Sequence, residues 1–325
     1  MKEFDIKKEI IGFFRKSAGS FVSGEDISGA LGFSRASVWK YINKLREEGY
    51  HIEAVPHLGY RLRSSPDKVY SYDISSGLKT VKIGKGFIDY YDSTGSTNDR
   101  AYELAEGGEP EGTIVIAESQ TRGKGRMGRK WISPKASGIY MSIILRPDVE
   151  TDEIPAVTII AAVSIIRAIK KACGVDTRMK WPNDILIGDK KVCGILTEIK
   201  AQPDAVEFLV LGIGVNVNTP RGKLPPEGTS LKIECGYNVS RLDLARNILA
   251  EFERYYLKFN EEGFPALRDE CMEYSLTLGK RVKVSEHHRS IEGVAVDIDE
   301  KGALIVKDDN GDLKRVFSGD VVLCR

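Results

Sequence analysis

A chain of 325 residues is too long for one ordinary hydrophobic core and predicts two or three domains. Hydrophobic residues at 42% and charged residues at 29% are ordinary globular values. With 48 Lys+Arg against 47 Asp+Glu, no global charge draws the chain to nucleic acid or a membrane, so any basic surface must be local. Five scattered cysteines, never spaced CxxC, and only four histidines argue against a disulfide framework or an evident zinc cluster and predict a reduced, cytoplasmic protein.

The opening MKEFDIKKEI holds too many acids and too little apolar run for a secretion signal. Ile6, Ile10, Phe13 and Phe14 recur at helical spacing. Ser23 opens a second helix, with Asp26 three residues on in a capping-box pattern. After the turn Leu31-Gly32-Phe33, Ser34 caps a third helix that runs to Gly49. Val38, Ile42 and Leu45 form its inward stripe and leave Arg35, Ser37, Trp39, Lys40 and Lys44 outside. His51–Val55 and Tyr60–Arg63, joined by Pro56–Gly59, read as a wing. Helix, turn, helix and wing predict a winged helix-turn-helix over 1–64. Its candidate DNA contacts are Ser34, Arg35, Ser37, Trp39, Lys40 and Lys44. The competing reading is a small packing domain with an ordinary solvated face. Cationic excess is modest, so tight binding calls for two copies on a two-part operator.

Ser64–Asp67 reads as a linker into a middle segment, 65–275, that alternates strands and helices. Strands are predicted at Thr113–Glu118, Gly138–Leu145, Val192–Ile199 and Phe208–Val217, and helices after Thr97, Asp152 and Ser240. The most apolar stretch, Ile154–Ile166, stops at Arg167, too short to span a bilayer, and reads as a buried helix. Residues 276–325 show short alternating strands, with Asn310-Gly311 a hairpin signal, and fit a small β-barrel. His287-His288 reads as a solvated turn.

Four segments carry chemistry. Glu118–Trp131 contains Gly123, Gly125 and Gly128 in a GxGxxG pattern, but no helix follows to offer its N-terminus to a pyrophosphate, and the loop is no P-loop. Its cations Arg122, Lys124, Arg126, Arg129 and Lys130 suggest a flap that closes over phosphate; a basic surface turn or nucleic-acid contact is the alternative. In Lys180-Trp-Pro-Asn-Asp184 and the following strand, Lys191 sits at the edge of a buried sheet, where an anionic ligand is its natural partner. Asp92–Asn98 puts hydroxyls and an amide at a helix start, which also suits plain N-capping. Gly212–Asn216 ends an apolar strand with small residues that let a flat ligand approach.

Ser96–Asn98, Gln120–Arg129, Lys180–Asp184 and Gly212–Asn216, in this order, resemble the motifs of the biotin protein ligase family, and the resemblance covers essentially the whole chain. The arrangement looks like the class that also represses the biotin operon. It implies an α+β fold: a winged helix-turn-helix (1–64), a mixed-sheet α/β ligase domain (65–275) and a C-terminal SH3-like β-barrel (276–325). The implied activity is ATP-dependent biotinylation of a lysine on a biotin carboxyl carrier protein through biotinyl-5′-AMP, with biotin-responsive operator binding as a homodimer. Biotin, ATP and Mg²⁺ are the implied ligands.

The resemblance further implies that Ser96, Thr97, Asn98, Gln120 and Gly194 bind biotin. Lys124, Gly125 and Arg126 would meet its carboxylate and the phosphate, and Lys191 would bridge carboxyl and α-phosphate. Arg129, Trp131 and Asn216 would meet the adenylate. Lys191, Arg126 and Asp184 are the implied catalytic set, with Asp184 either accepting the lysine proton or orienting Lys191. Lys124 stands where many members carry Arg, exchanging a bidentate fork for a point charge. A lipoate or octanoate ligase, or a repressor that only senses biotin, are the alternatives.

Overall fold

The computed structural model describes residues 3–202, 205–286 and 289–324, so His287-His288 lies outside the described residues. The chain forms two compact units, Met1–Lys79 and Thr80–Arg325.

The first unit holds α1 (Glu3–Lys16), α2 (Gly24–Leu31), α3 (Arg35–Glu47), the antiparallel pair β1 (His51–Val55) and β2 (Gly59–Ser64), and α4 (Ser71–Gly77). Ile6, Ile10, Ile11 and Phe14 are the buried stripe of α1; Ile11 takes the inward place expected of Phe13. Ser23 caps α2 by accepting from the Glu25 N–H, one residue short of the expected capping-box partner. Gly32 ends α2 in the left-handed region (φ 67°), and Ser34 caps α3 by accepting from the Ser37 N–H. Val38, Ile42 and Leu45 are buried, as their spacing requires. Val22 exchanges backbone bonds with Tyr60, adding a single antiparallel bridge to the wing. The unit continues past the expected linker: Arg15 pairs at 2.6 Å with buried Asp73, fastening α4 to α1. The Tyr70 and Tyr72 rings stack 5.1 Å apart.

The second unit is built on a seven-stranded mixed sheet. Its elements are β3 (Ile88–Tyr91), α5 (Thr97–Glu106), β4 (Ile114–Ala117), β5 (Gly138–Leu145), α6 (Ile154–Cys173), β6 (Arg178–Lys180), β7 (Asp184–Ile187), β8 (Lys190–Gln202), β9 (Ala205–Asn216), α7 (Leu231–Cys235), α8 (Arg241–Glu262) and α9 (Pro265–Met272). Strand order is β3-β4-β5-β9-β8-β7-β6, with β3 and β4 parallel and every other pair antiparallel. β4 and β5 are buried at every position, which is why they read as unbroken apolar runs rather than alternating ones.

Register decides which face can hold a ligand. Cross-strand pairs Gly194–Gly214, Leu196–Gly212 and Ser142–Gly212 put small residues on one face, the face over which α5 packs. On β9, Ile213 and Val215 point to the opposite side, where α6 and α8 lie. Gly-Ile-Gly-Val-Asn is thus a period-two pattern with a void on one side.

The remaining strands, β10 (Arg281–Glu286), β11 (Arg289–Ile298), β12 (Leu304–Lys307), β13 (Leu313–Val316) and β14 (Asp320–Leu323), form an antiparallel sheet in the order β13-β12-β11-β10-β14. The Asn310-Gly311 turn joins β12 to β13, with Gly311 at φ 90° and the Asp308 carboxylate accepting from the Asn310 and Asp312 N–H groups. This sheet is docked on the first one. Buried Trp181 donates through Nε1 to the Gly302 carbonyl at 3.1 Å, and Lys301 pairs with Glu150 and Asp152. Among the described residues, no helix is long and apolar enough to cross a membrane.

Candidate functional site

Two cavities open on the glycine-rich face of the mixed sheet, about 390 Å³ and about 50 Å³ in volume. They share the wall formed by Gly125, Arg126, Trp131, Asn183 and Lys191.

The smaller cavity is a hydrogen-bonding pocket. Ser96, Thr97 and Asn98 start α5 and are all buried. Gln120 Oε1 accepts from the Thr97 N–H (2.8 Å) and from its hydroxyl (3.1 Å), while Gln120 Nε2 donates to Ser133. The Ser142 hydroxyl reaches both Thr97 Oγ1 (2.9 Å) and Asn98 Oδ1 (2.6 Å). Asn98 Nδ2 then donates to Glu198 at 2.8 Å. Gly212 makes this possible, because a Cβ there would fall 2.0 Å from Asn98 Oδ1. A pocket of fixed donors and acceptors on an apolar sheet suits a flat polar ring.

The larger cavity is cationic. Arg126, Arg129, Lys130, Lys180 and Lys191 line it, against Asp184, Glu227 and Asp320. Lys191 Nζ lies 2.6 Å from Asp184 Oδ1 and 5.4 Å from the centre of the Trp131 ring. The backbone of Lys191 is fixed too: its N–H donates to the Glu227 carbonyl, and its carbonyl accepts from Thr229. Burial pushes Arg126 and Lys180 below their ordinary pKa values. Arg129 adds to both shifts and Lys191 to that of Lys180, while Asp184 opposes. Crowded, half-desolvated cations of this kind are stabilised by an incoming polyanion.

The loop between β4 and β5 closes over both cavities and is fastened at several points. Gly125 N–H donates to the Arg129 carbonyl. Arg126 donates to Asn183 Oδ1 and to the Gly319 carbonyl, both at 3.2 Å, and Arg129 pairs with Asp320. The C-terminal sheet therefore anchors the flap. The Trp131 indole lies against the Gly194–Gly214 pair; a Cβ at Gly214 would meet it at 2.6 Å. Its buried Nε1–H has no hydrogen-bond partner among the described residues. Asn216 ends β9 at the rim of the larger cavity.

Every residue expected to bind biotin or adenylate thus lines one of the two cavities, and Lys191 and Arg126 line both. Lys124 is the departure in contacts: it engages Asp99 and Glu198. Sequence reasoning missed Ser142, Glu198 and the Gly319–Asp320 anchor. Ser142 sits in an apolar strand with no motif around it, and the anchor lies far along the chain. Asn183 was inside a recognised motif but assigned no role.

In the first unit, Arg35, Trp39 and Lys40 are exposed on α3, Trp39 at 57%. Ser34 and Ser37 bond to each other at the helix start, and Lys44 lies 5.6 Å from the Tyr41 ring. Arg61 and Arg63 of the wing both pair with Glu53, which reduces the charge available there.

A helix-turn-helix unit joined to a pocket for a polar ring beside a polyanion cavity defines the class of ligand-activating enzymes that also carry a DNA-reading module. Residues 7–61 match the family model described as HTH domain, 90–216 the biotin/lipoate A/B protein ligase family, and 277–323 the biotin protein ligase C-terminal domain. The chain is 40% identical to the bifunctional ligase/repressor BirA of Bacillus subtilis strain 168, over 98% of each chain. It is 34% identical to the biotin–[acetyl-CoA-carboxylase] ligase of Mycobacterium tuberculosis, over 75% of this chain and 92% of that one. Its fold is similar to the biotin protein ligase of Aquifex aeolicus in complex with biotin and ATP, with a TM-score of 0.63 and 29% identity, covering 74% of this chain and 99% of that one. The chain belongs to the family of bifunctional biotin ligase/repressor proteins.

Proposed function

We propose that the chain activates biotin with ATP to biotinyl-5′-AMP, transfers the biotinyl group to a carrier lysine, and represses transcription by binding operator DNA. One observation carries the catalytic half: the ring-sized polar pocket and the cationic cavity share a wall that contains Lys191 and Arg126. A carboxylate in the smaller cavity and an α-phosphate in the larger one would meet there, where their mutual repulsion is greatest. Biotin's ureido ring takes Ser96, Thr97, Asn98 and Gln120, with Gly194 leaving room beneath it. Lys191 and Arg126 neutralise the forming carboxyl–phosphate bond. Arg129 and Asn216 meet the nucleotide, and Trp131 turns from its glycine slot toward adenine. The orphaned indole N–H supports that movement.

The carboxylate displaces pyrophosphate from ATP, and a carrier lysine amine then displaces AMP from the acyl carbon. Neither step needs an enzyme nucleophile. The mixed anhydride hydrolyses in open water, so the flap also excludes solvent. Asp184, 2.6 Å from Lys191, orients that ammonium. Mg²⁺ fits as an ion carried on the phosphates of ATP, because two of the three carboxylates lining that cavity, Asp184 and Asp320, already pair with Lys191 and Arg129. When bound, it supplies further positive charge at the phosphates.

Ser34, Arg35, Ser37, Trp39, Lys40 and Lys44 form the DNA-facing surface of α3, and a homodimer presents two of them. A boundary at the end of α4, near residue 79 rather than 64, a second division at 275, an SH3-like closure of the last sheet and a cytoplasmic location complete the reading. A full-length relative that is both ligase and repressor supports this over a lipoate ligase or a non-catalytic sensor. Biotin-dependent AMP release in the presence of a carrier domain tests it; release without biotin dependence would defeat it.

A further inference from the structure

We propose that Ser142 is a specificity-determining residue of the smaller cavity, because it leaves the pocket wall one hydrogen short and so selects a ring that brings an N–H. The inference rests on the ligase reading above and concerns what the same pocket demands of its substrate. Asn98 Oδ1, Ser142 Oγ, Thr97 Oγ1 and Gln120 Oε1 form a row of oxygens with successive separations of 2.6, 2.9 and 3.1 Å. Each of these contacts needs a hydrogen. The two end oxygens belong to side-chain amides whose orientation is fixed by neighbours with only one possible role. Asn98 Nδ2 faces two acceptors, the Glu198 carboxylate at 2.8 Å and the Leu196 carbonyl at 3.3 Å, so the acceptor end of that amide is the one facing Ser142. Gln120 Oε1 accepts from the Thr97 backbone N–H at 2.8 Å, which fixes it as the oxygen.

The row therefore holds three contacts but two hydrogens, those of the Ser142 and Thr97 hydroxyls. Whichever way the hydroxyls turn, one pair of oxygens is left without a hydrogen, and facing acceptors repel. The 2.6 Å contact to Asn98 claims the Ser142 hydrogen, since bare oxygens are least tolerable at the shortest separation. The shortfall then falls on Thr97, whose single hydrogen serves Ser142 or Gln120 but not both. Thr97, Asn98 and Gln120 line the smaller cavity, while Ser142 is fully buried behind them on β5. A ligand N–H entering beside Thr97 Oγ1 and Gln120 Oε1 supplies the missing hydrogen. A ligand oxygen at that point adds a further acceptor. A ureido ring carries N–H on both nitrogens and meets the demand, whereas a cyclic carbamate with oxygen in that position does not.

The test is calorimetric titration of the full chain with biotin and with its two carbamate analogues, each with one ring N–H replaced by oxygen. Wild type should bind one of the two carbamates about 10²-fold more weakly than biotin, the cost of setting an oxygen against buried acceptors. In Ser142→Ala the row shrinks to Thr97 and Gln120, one contact served by one hydrogen, and the pocket no longer demands a donor. Biotin should then bind about ten-fold more weakly, and its advantage over that carbamate should fall below about ten-fold. Ser142→Cys, with a weaker donor, should lie between the two. A serine that only supports the fold would weaken all three ligands alike and leave the ratio unchanged, and that result would overturn the proposal. So would equal binding of biotin and both carbamates by wild type, a comparison that needs no variant to fold. A wild-type chain that binds no biotin would instead overturn the functional reading beneath it.

Discussion

Lys191 Nζ, on the wall shared by the two cavities, lies 2.6 Å from Oδ1 of Asp184, which stands on the neighbouring antiparallel strand and lines the larger cavity. The carboxylate fixes an ammonium that would otherwise swing on four methylenes. Lys191→Ala should slow biotin-dependent pyrophosphate release about 10²–10³-fold, the usual cost of losing a preorganised charge stabiliser. The fold should survive, since the side chain is 31% exposed. Asp184→Asn separates the two roles left open by the sequence. If Asp184 orients Lys191, single-turnover rates of adenylation and of transfer to carrier fall together. A loss confined to transfer would identify it as the acceptor of the amine proton.

Arg126 joins the flap to Asn183 and to the Gly319 carbonyl of the C-terminal sheet. Arg126→Gly removes both contacts and one cation, so adenylate should form more slowly and escape more readily. Free adenylate acylates any amine, and the readout is biotin on bystander protein. Asp320→Asn, which frees Arg129, should leak in the same direction but less. Equal bystander labelling by wild type and Arg126→Gly would refute a retaining flap.

The catalytic motifs share no residue with the first unit, and the Mycobacterium tuberculosis ligase matches only 75% of this chain. Residues 80–325 should therefore biotinylate carrier at near wild-type rate and bind no operator. A cut after residue 64 should behave worse, because it strips α4 of α1, leaving Asp73 without Arg15 and Tyr70 and Tyr72 without Tyr50. Thermal unfolding and light scattering of the two truncations check this; equal behaviour would place the boundary at the Ser64–Asp67 stretch.

Much of this was legible in the sequence for physical reasons. Val38, Ile42 and Leu45 face inward as their helical spacing requires, and Gly138–Leu145 is the strand its apolar run predicted, buried at every position. Lys191 drew attention because its strand leads into a buried sheet; its side chain is itself 31% exposed and pairs with Asp184. Helix α4 was not legible: Ser-Tyr-Asp-Ile-Ser-Ser-Gly has no periodic apolar face, and tertiary pairing of Asp73 with Arg15 holds it. Nor were the ion pairs of Lys124, since Asp99 and Glu198 approach it only after β8 has paired with β9 and α5 has docked. Charge pairs between distant elements leave no local pattern to read.

The last prediction links the two activities. A single α3 exposes few cations, and Glu53 engages the two arginines of the wing, so one copy contacts too little DNA for tight specific binding. Two copies related by a two-fold axis would engage two half-sites of a palindromic operator. We expect biotinyl-adenylate to be the switch, because filling both cavities must displace Trp131 from its glycine slot and re-set the flap pinned to Asn183, Gly319 and Asp320. That reshapes the surface beside the site and can favour self-association. Linkage then runs both ways: adenylate tightens the dimer, and dimerisation tightens adenylate binding by the same factor. Carrier lacking biotin should compete, since it consumes the adenylate and returns the chain to its weakly associating form. Sedimentation and operator titrations with biotin, with ATP, and with both are the measurements. Self-association and operator affinity should rise together only when both are present, and fall again on addition of unmodified carrier. Equal values in all conditions would refute a ligand-gated repressor while leaving the ligase chemistry of Lys191 and Arg126 intact.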